Sequence, residues 1–461
     1  MTTAQTVATY GFNVPCQRFL VTSNIARESR FPVVDEFVLR LLHGSERLPA
    51  NRIGAFFGFS TFETTTVLAD LQARGLILVV GEDVELSPAA EDLFKSAREG
   101  VLQIVQVETW VDRLWFDLVG RNMMTPERTR PFEHLLELKP AAGARTLPAA
   151  FARDAFHHNF LSFLKNVRRI NDPERFSLYS VSDVVPDRFG YVALTGTMEL
   201  QLDPKPQLTP RLLNVPVEDV AKLRALNEAM HAAVRRLTDA DPSTNSATEF
   251  RRLTGDALIA AYTDQAGSVD VNGWLTAPER KKLGRTPILG ASYLDRNMAA
   301  FRRALERRCA VRLRGSQHRR LELRWFRPAG SSWGVSQDMS RVVPDILSVV
   351  RRTLTADWEV RSTLIGPASA RKETLTFLQL FDRGQLAPAS HFAAATEVLL
   401  LNGIAAMVMT RVRLSETIAI PVGLILTADP DLERLQVGLK AAAAEQRFDT
   451  LWDRSEPSRG R

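Results

Sequence analysis

The sequence is poor in cysteine and in long apolar runs. Its 461 residues include two cysteines, Cys16 and Cys309, which are too few for a disulfide scaffold and cannot alone complete a zinc site. The longest strongly apolar, uncharged stretch, residues 398–410, is shorter than the roughly 20 residues that a membrane-spanning helix needs. The first residues lack the basic and apolar regions of an export signal. We therefore expect a cytoplasmic protein in a reducing compartment, with no membrane partner.

Catalytic and cofactor motifs are absent or incomplete. Neither H-E-x-x-H nor G-x-G-x-x-G occurs. Residues 330–334 match G-x-S-x-G around Ser332, but residues 327–329 stand where a nucleophile elbow needs a buried strand leading into the serine. The loop 366–373 lacks the second glycine and the Lys-Ser/Thr pair of a phosphate-binding loop. We expect no catalytic residues, no metal and no cofactor.

Arginine is concentrated in one part of the chain. In total, 59 Lys and Arg stand against 53 Asp and Glu, which gives a modest formal net charge of +6. Residues 302–327, however, hold ten arginines and only two acids, Glu306 and Glu322. Such a cluster indicates either a partner of opposite charge or an internal network of ion pairs.

Residues 31–97 show a regular order of helix and strand signals. Gly58 is suited to end a helix in the left-handed conformation, and Ser60 with Glu63 forms a capping box that opens the next helix. Periodicity and turn signals predict helices over 34–43 and 49–57, a third helix from Ser60, strands over 76–80 and 84–86, and a further helix from Pro88. This order resembles the winged helix-turn-helix domains of bacterial regulators.

The resemblance implies that the third helix enters the major groove of DNA. The residues then expected to contact DNA lie on the outward face of that helix or near the second helix: Thr61, Thr64, Thr65, Arg74, Arg47 and Arg52. Glu82 and Asp83 at the tip of the wing would repel phosphate groups. A winged helix used for dimerisation or protein docking is therefore kept as the alternative.

The middle of the chain mixes helical and strand patterns. Residues 101–175 are rich in aromatic residues and predict helix. Alternating residues predict strands between 176 and 213, and apolar spacing predicts a helix over 217–237. Gly, Pro and polar residues between 264 and 290 indicate a domain boundary.

The arginine-rich segment is predicted as a helix over 292–308 followed by a β-hairpin. Arg303 and Arg307 lie on the helix side opposite its apolar face. Apolar and charged residues alternate on both strands of the hairpin, so one face would present Arg312, Arg314, Arg320 and Arg324. Because like charges on neighbouring strands repel, this face predicts a polyanionic partner, with nucleic acid first. An internal ion-pair interface and a solvated face are the alternatives.

The expected architecture is a multidomain α/β protein. From residue 342 onward helices and apolar strands alternate, which predicts an α/β layer with a partly parallel sheet. The expected domains are an N-terminal extension (1–30), a winged helix-turn-helix (31–100), a mixed helical and β middle region (101–265) and an arginine-rich α/β domain (286–455).

These features predict a DNA-binding protein without catalytic residues, which uses the winged helix and the arginine-lined face. The architecture is similar to accessory components of bacterial anti-phage defence systems and to transcription regulators. DNA is the expected partner, while other protein subunits and a homodimer are left open. The first alternative is a protein-docking scaffold subunit of a larger complex. The second is an enzyme, a hydrolase or nuclease, with an unrecognised site.

Overall fold

The computed structural model describes residues 4–96, 102–126, 128–202, 205–213, 220–239, 244–279, 284–312, 320–353, 358–388, 394–443 and 448–454. Within these residues the chain is mixed α/β and has three sheets. Its contacts divide it into two compact units. Unit 1 comprises Met1–Gln17, Asp117–Arg145 and Phe189–Arg461, and unit 2 comprises Arg18–Phe116 and Thr146–Arg188. In the described part of the chain, no helix combines the length and apolar character of a membrane crossing.

The helices occur in both units. In chain order they are α1 Val33–Ser45, α2 Ala50–Phe57, α3 Thr61–Ala73, α4 Pro88–Ser96, α5 Pro148–Ser162, α6 Val220–Val234, α7 Thr244–Thr254, α8 Leu258–Ala261, α9 Val271–Thr276, α10 Asp295–Arg312, α11 Met339–Thr353, α12 Arg371–Leu375 and α13 Asp429–Ala443.

The strands form sheets of five, eight and three members. In chain order they are β1 Gln5–Arg30, β2 Arg47–Pro49, β3 Ile77–Val80, β4 Asp83–Leu86, β5 Gln103–Asp117, β6 Leu136–Glu137, β7 Phe176–Gln201, β8 Gln207–Leu213, β9 Thr286–Leu289, β10 Arg320–Phe326, β11 Glu359–Pro367, β12 Arg383–Ala387, β13 Glu397–Leu401, β14 Ala405–Arg413, β15 Ala419–Leu426 and β16 Asp449–Asp453.

Residues 33–96 of unit 2, here the 33–96 segment, contain helices and strands at the predicted positions. Three helices precede the antiparallel pair β3–β4, and β2 completes a sheet of order β2-β4-β3. Gly58 ends α2 with a φ of 72°, and the capping box of Ser60 and Glu63 opens α3. The side chain of Ser87 accepts the Ala90 N–H at 3.1 Å and so caps α4. The turn residues therefore act as local chemistry predicts.

Two long strands were not predicted. Residues 103–117, expected to be helical, form β5, and residues 5–30, expected to be an extension, form β1. Both segments alternate: in β5 Leu114 and Phe116 are buried while Trp115 between them is partly exposed. The dominant period is two rather than 3.6, so the helical prediction for this segment was wrong.

The eight-stranded sheet of unit 1 has the order β16-β12-β11-β10-β13-β14-β15-β9. β11 pairs in parallel with β10 and β12, whereas the other pairs are antiparallel. The predicted partly parallel sheet is thus confirmed. One core packs α10 and α11 on one set of strand side chains, and a second core packs α7 and α13 on another. β13 is buried along its whole length.

The arginine hairpin was also a wrong prediction. Cys309 to Arg312 continue α10, because Cys309 extends the buried stripe of Phe301 and Leu305 at four-residue steps. β10 instead lies between β11 and β13, in the interior of the eight-stranded sheet. Helical periodicity therefore continues through a stretch whose short alternation suggested a strand.

Candidate functional site

The arginines expected to bind DNA in the 33–96 segment are mostly engaged in ion pairs. Arg47 pairs with Glu85, and Arg74 donates to the Asp35 carboxylate at 2.5 Å. Arg52 is exposed on α2 and has no ion-pair partner among the described residues. The segment holds five Lys and Arg against ten Asp and Glu. Its electrostatic character is therefore acidic, with one unpaired arginine at the expected surface.

The threonines of α3 divide between surface and core. Thr61 and Thr65 are exposed, as expected, and the Thr65 hydroxyl donates to the Thr61 carbonyl at 2.8 Å. Thr64, also expected to face outward, is only 8% exposed. Its hydroxyl donates to the Ser60 carbonyl, and a Cβ added to Gly54 would lie 2.3 Å from its Oγ1. Thr64 is therefore corrected to a packing residue between α2 and α3.

Aromatic side chains are exposed where α2 turns into α3. Phe56 is 68% exposed and Phe62 80% exposed. The ring of Phe57 contacts those of Phe56 and Phe59, with centroid distances of 5.0 and 5.3 Å. We call residues 56–62 the α2–α3 corner. Exposed apolar residues close together on a folded surface indicate an interaction site.

The arginines of α10 do not form one cationic row. Arg312 pairs with Asp429, which follows β15. Arg303 and Arg307 are exposed and have no ion-pair partner among the described residues. Arg314 lies outside the described residues. Two of the expected α10 positions thus remain available to an anion.

On β10 the arginines are matched by acids. Arg320 pairs with Glu359 of β11 at 2.9 Å, and Arg324 pairs with Glu322 of its own strand at 2.8 Å. Arg361 also contacts Glu359. The strand register places Arg320 opposite Glu359 and Glu322 opposite Arg361. This alternation supports the internal ion-pair alternative and contradicts a cationic face, because β11 supplies an acid that the hairpin prediction lacked.

Unit 1 contains a cavity of about 210 Å³ that the sequence did not predict. Most of its wall is apolar, with Val7, Met198, Leu208, Val234, Met409 and Ile420 among the residues that line it. Its polar lining residues are Tyr10, Asp239, Tyr293, Ser332, Glu397, Thr410 and Arg411. A mainly apolar cavity with a few polar groups is the usual form of a small-molecule site.

The charged lining residues are held in a network. Asp239 accepts hydrogen bonds from the Ser332 hydroxyl and from Arg411, the latter at 2.7 Å. Burial and the charge of Asp239 raise the pKa of Tyr10 to about 12. Burial, with the nearby Tyr10, also raises the pKa of Tyr293 well above its usual value. Both phenols are therefore protonated at neutral pH and can serve as hydrogen-bond donors.

The wall of the cavity also contains a buried carboxyl group. Glu397 accepts hydrogen bonds from the Ser292 hydroxyl at 2.5 Å and the Trp325 indole N–H at 2.8 Å. Burial raises the pKa of Glu397, and burial lowers the pKa of the nearby Arg327 to about 10. Arg327 donates to the Gly330 carbonyl at 2.6 Å. This cluster fixes the loop that carries Ser332.

The segment that matches G-x-S-x-G does not have the geometry of a nucleophile elbow. β10 ends at Phe326, well before Ser332, and the serine hydroxyl donates to a carboxylate. His391, the only histidine after Ser332 in the sequence, lies outside the described residues. Among the described residues, no His, Cys, Asp and Glu side chains converge as a metal site requires. Cys16 and Cys309 are both buried, and burial raises the pKa of the Cys16 thiol.

Sequence reasoning missed the cavity because its wall comes from distant parts of unit 1. Tyr10 is on β1, Asp239 follows α6, and Arg411 is on β14. No short motif joins residues at these separations. The one local signal was the loop with Ser332, which was considered as a nucleophile and is a hydrogen-bond donor to Asp239.

Comparison with known proteins identifies no family for this chain. No family model matches it, and no curated protein matches it. Among solved structures, it aligns with TrmBL2, an archaeal chromatin protein whose structure shows a mode of DNA binding. That alignment covers 55% of this chain and 77% of TrmBL2, with 8% identity and a TM-score of 0.23. Similarity at this level supports no conclusion about fold or function.

Proposed function

We propose that the 33–96 segment is a winged helix-turn-helix of bacterial regulator type, and that the chain uses it to dock a protein partner. The observation that carries this proposal is the exposure of Phe56 and Phe62 at the α2–α3 corner. Aromatic residues are enriched at protein interfaces and act there as anchors in partner pockets. β3, an edge strand of its sheet, adds exposed apolar side chains from Leu78 to Val80.

The negative charge of the segment favours a partner with a basic surface. Acids outnumber bases two to one, and Arg47 and Arg74 are neutralised by Glu85 and Asp35. Two copies of this surface would repel each other, and so would this surface and a phosphate backbone. The best match is a protein with an apolar pocket rimmed by lysine or arginine, which makes the chain a docking subunit of a larger complex.

Photo-crosslinking in the cells that make the protein tests this docking. The full chain carries a photoreactive phenylalanine analogue at position 62, and a matched chain carries it at Val437, an equally apolar position of unit 1 that is 66% exposed. We expect a discrete adduct with another protein from position 62 alone. Its yield should fall when Glu82→Lys and Asp83→Lys reverse the acidic charge at the tip of the β3–β4 hairpin of the same segment. Adducts with nucleic acid or with a second copy, or equal yields from both positions, would overturn the proposal.

DNA binding is the second candidate, favoured by the element order of the segment and by the exposure of Arg52, Thr61 and Thr65. If it is correct, generic duplex DNA should shift in electrophoresis at about 50 mM salt. Arg52→Glu should abolish that shift, while the equal charge change Lys165→Glu, at an exposed position of the same unit, should not. Because one unpaired arginine releases few counterions, the salt dependence should be shallow. Roles in anti-phage defence or transcription regulation remain predictions from architecture alone.

A further inference from the structure

We propose that the 210 Å³ cavity of unit 1 is a binding site for an uncharged, single-ring aromatic molecule that carries an oxygen acceptor. An engineered apolar cavity of about 150 Å³ holds benzene, so this volume fits a ring with a small substituent. The cavity lies within unit 1 and the α2–α3 corner within unit 2, so the test of either proposal leaves the other standing.

The preference for an uncharged ligand follows from the charges already paired in the wall. Asp239 is bound by Arg411 at 2.7 Å and by the Ser332 hydroxyl. Glu397 is fully buried, accepts from the Ser292 hydroxyl and an indole N–H, and has Arg327 as a nearby charge of opposite sign. A charged ligand would lose its hydration without gaining an unpaired counter-charge, which disfavours its entry.

The need for an oxygen acceptor follows from the phenol of Tyr10. Tyr10 lines the cavity and is partly exposed, and no other described residue hydrogen-bonds to its hydroxyl. Burial and the charge of Asp239 raise its pKa, so the phenol keeps its proton at neutral pH and can donate it. An oxygen of a bound molecule accepts from this donor.

The preference for an aromatic ring follows from the side chains around the remaining space. Tyr10, Tyr293 and Trp333 are aromatic lining residues, and Met198 is a lining residue with a thioether. Aromatic pairs and sulfur–aromatic contacts favour a ring over an aliphatic chain of equal size. Methionine is also flexible enough to adjust to the ring.

Calorimetry on the full chain with four probes tests the site. Benzyl alcohol has the proposed chemistry, toluene lacks the oxygen, and benzoate and benzylamine carry opposite charges. We expect benzyl alcohol to bind with a Kd below about 1 mM, and about tenfold more tightly than toluene. Both charged probes should bind more weakly than benzyl alcohol. Absence of benzyl alcohol binding, or tighter binding of either charged probe, would overturn the proposal.

Two variants locate the binding. Ala419→Leu extends a side chain from a lining residue into the cavity and should abolish binding, whereas Ala310→Leu on the exposed face of α10 should not. Tyr10→Phe keeps the ring and removes the phenolic hydroxyl. It should leave toluene binding unchanged and remove the preference for benzyl alcohol. If Ala419→Leu fails to fold, the probe selectivity of Tyr10→Phe still decides, and an unchanged preference would place the ligand elsewhere.

Discussion

At the scale of single residues, His134 shows how burial couples the fold to pH. It is 6% exposed, its Nε2 has no partner among the described residues, and its ring contacts those of Phe132 and Phe377. Burial, aided by the charge of Arg128, lowers its pKa from 6.5 to about 4. The folded protein therefore holds His134 neutral at pH values where the unfolded chain binds a proton.

The sign of the pH effect follows directly. Between about pH 6.5 and pH 4 the unfolded state binds more protons at this site, so stability falls as the pH falls. The loss reaches about 3 kcal/mol near pH 4, at 1.36 kcal/mol for each pKa unit. We expect His134→Phe to lose less stability than the wild type between pH 7 and pH 4.5 in urea unfolding. His157→Gln, a change at an exposed histidine, should follow the wild type. Parallel curves for wild type and His134→Phe would contradict the assignment.

At the scale of elements, the start of α3 depends on one side chain. Ser60 accepts the Glu63 N–H at 3.2 Å, and the Glu63 carboxylate accepts the Ser60 N–H at 2.8 Å. We expect Ser60→Ala to destabilise α3 by about 1 kcal/mol, while Ser60→Thr retains most of the cap. Amide exchange of α3 in mild denaturant measures the effect locally. Ser45→Ala, at an exposed position in the last turn of α1, should change exchange by only a few tenths of that amount. Equal effects of the two alanine substitutions would show that the cap contributes nothing.

At the scale of the molecule, the eight-stranded sheet sets the order of stability within unit 1. β13 and most of β14 are buried and lie between other strands, whereas β16 and β9 are the sheet edges. Native-state hydrogen exchange should therefore be slowest in β13 and β14 and fastest at the two edge strands. Exchange of β13 as fast as that of β16 would contradict a core on both faces of the sheet.

The fold of the whole molecule also explains how the arginine cluster is neutralised. The sequence shows ten arginines between 302 and 327, but their counter-charges come from segments far along the chain, such as Glu359 and Asp429. The arginine cluster is cationic in the sequence, but acids from other segments partly neutralise it in the folded structure. Arg303 and Arg307 are the predicted α10 positions that keep exposed charge without an acid partner among the described residues.

Elements with local signals in the sequence could be predicted without the structure. Gly58 and Ser60 mark helix ends of the 33–96 segment, and the alternation of helices and apolar strands predicted from residue 342 onward is present as α11, β11, α12, β14, β15 and α13. These features depend on backbone geometry and on neighbours within a few residues, so they can be read from a short window.

Contacts between side chains that are distant in the sequence depend on the tertiary structure. Glu359 reaches Arg320 because β11 pairs with β10, and Asp239 reaches Arg411 across 172 positions of sequence. Charge neutralisation, cavity shape and pKa shifts depend on distances through space, and strand pairing sets those distances only when the whole sheet has formed.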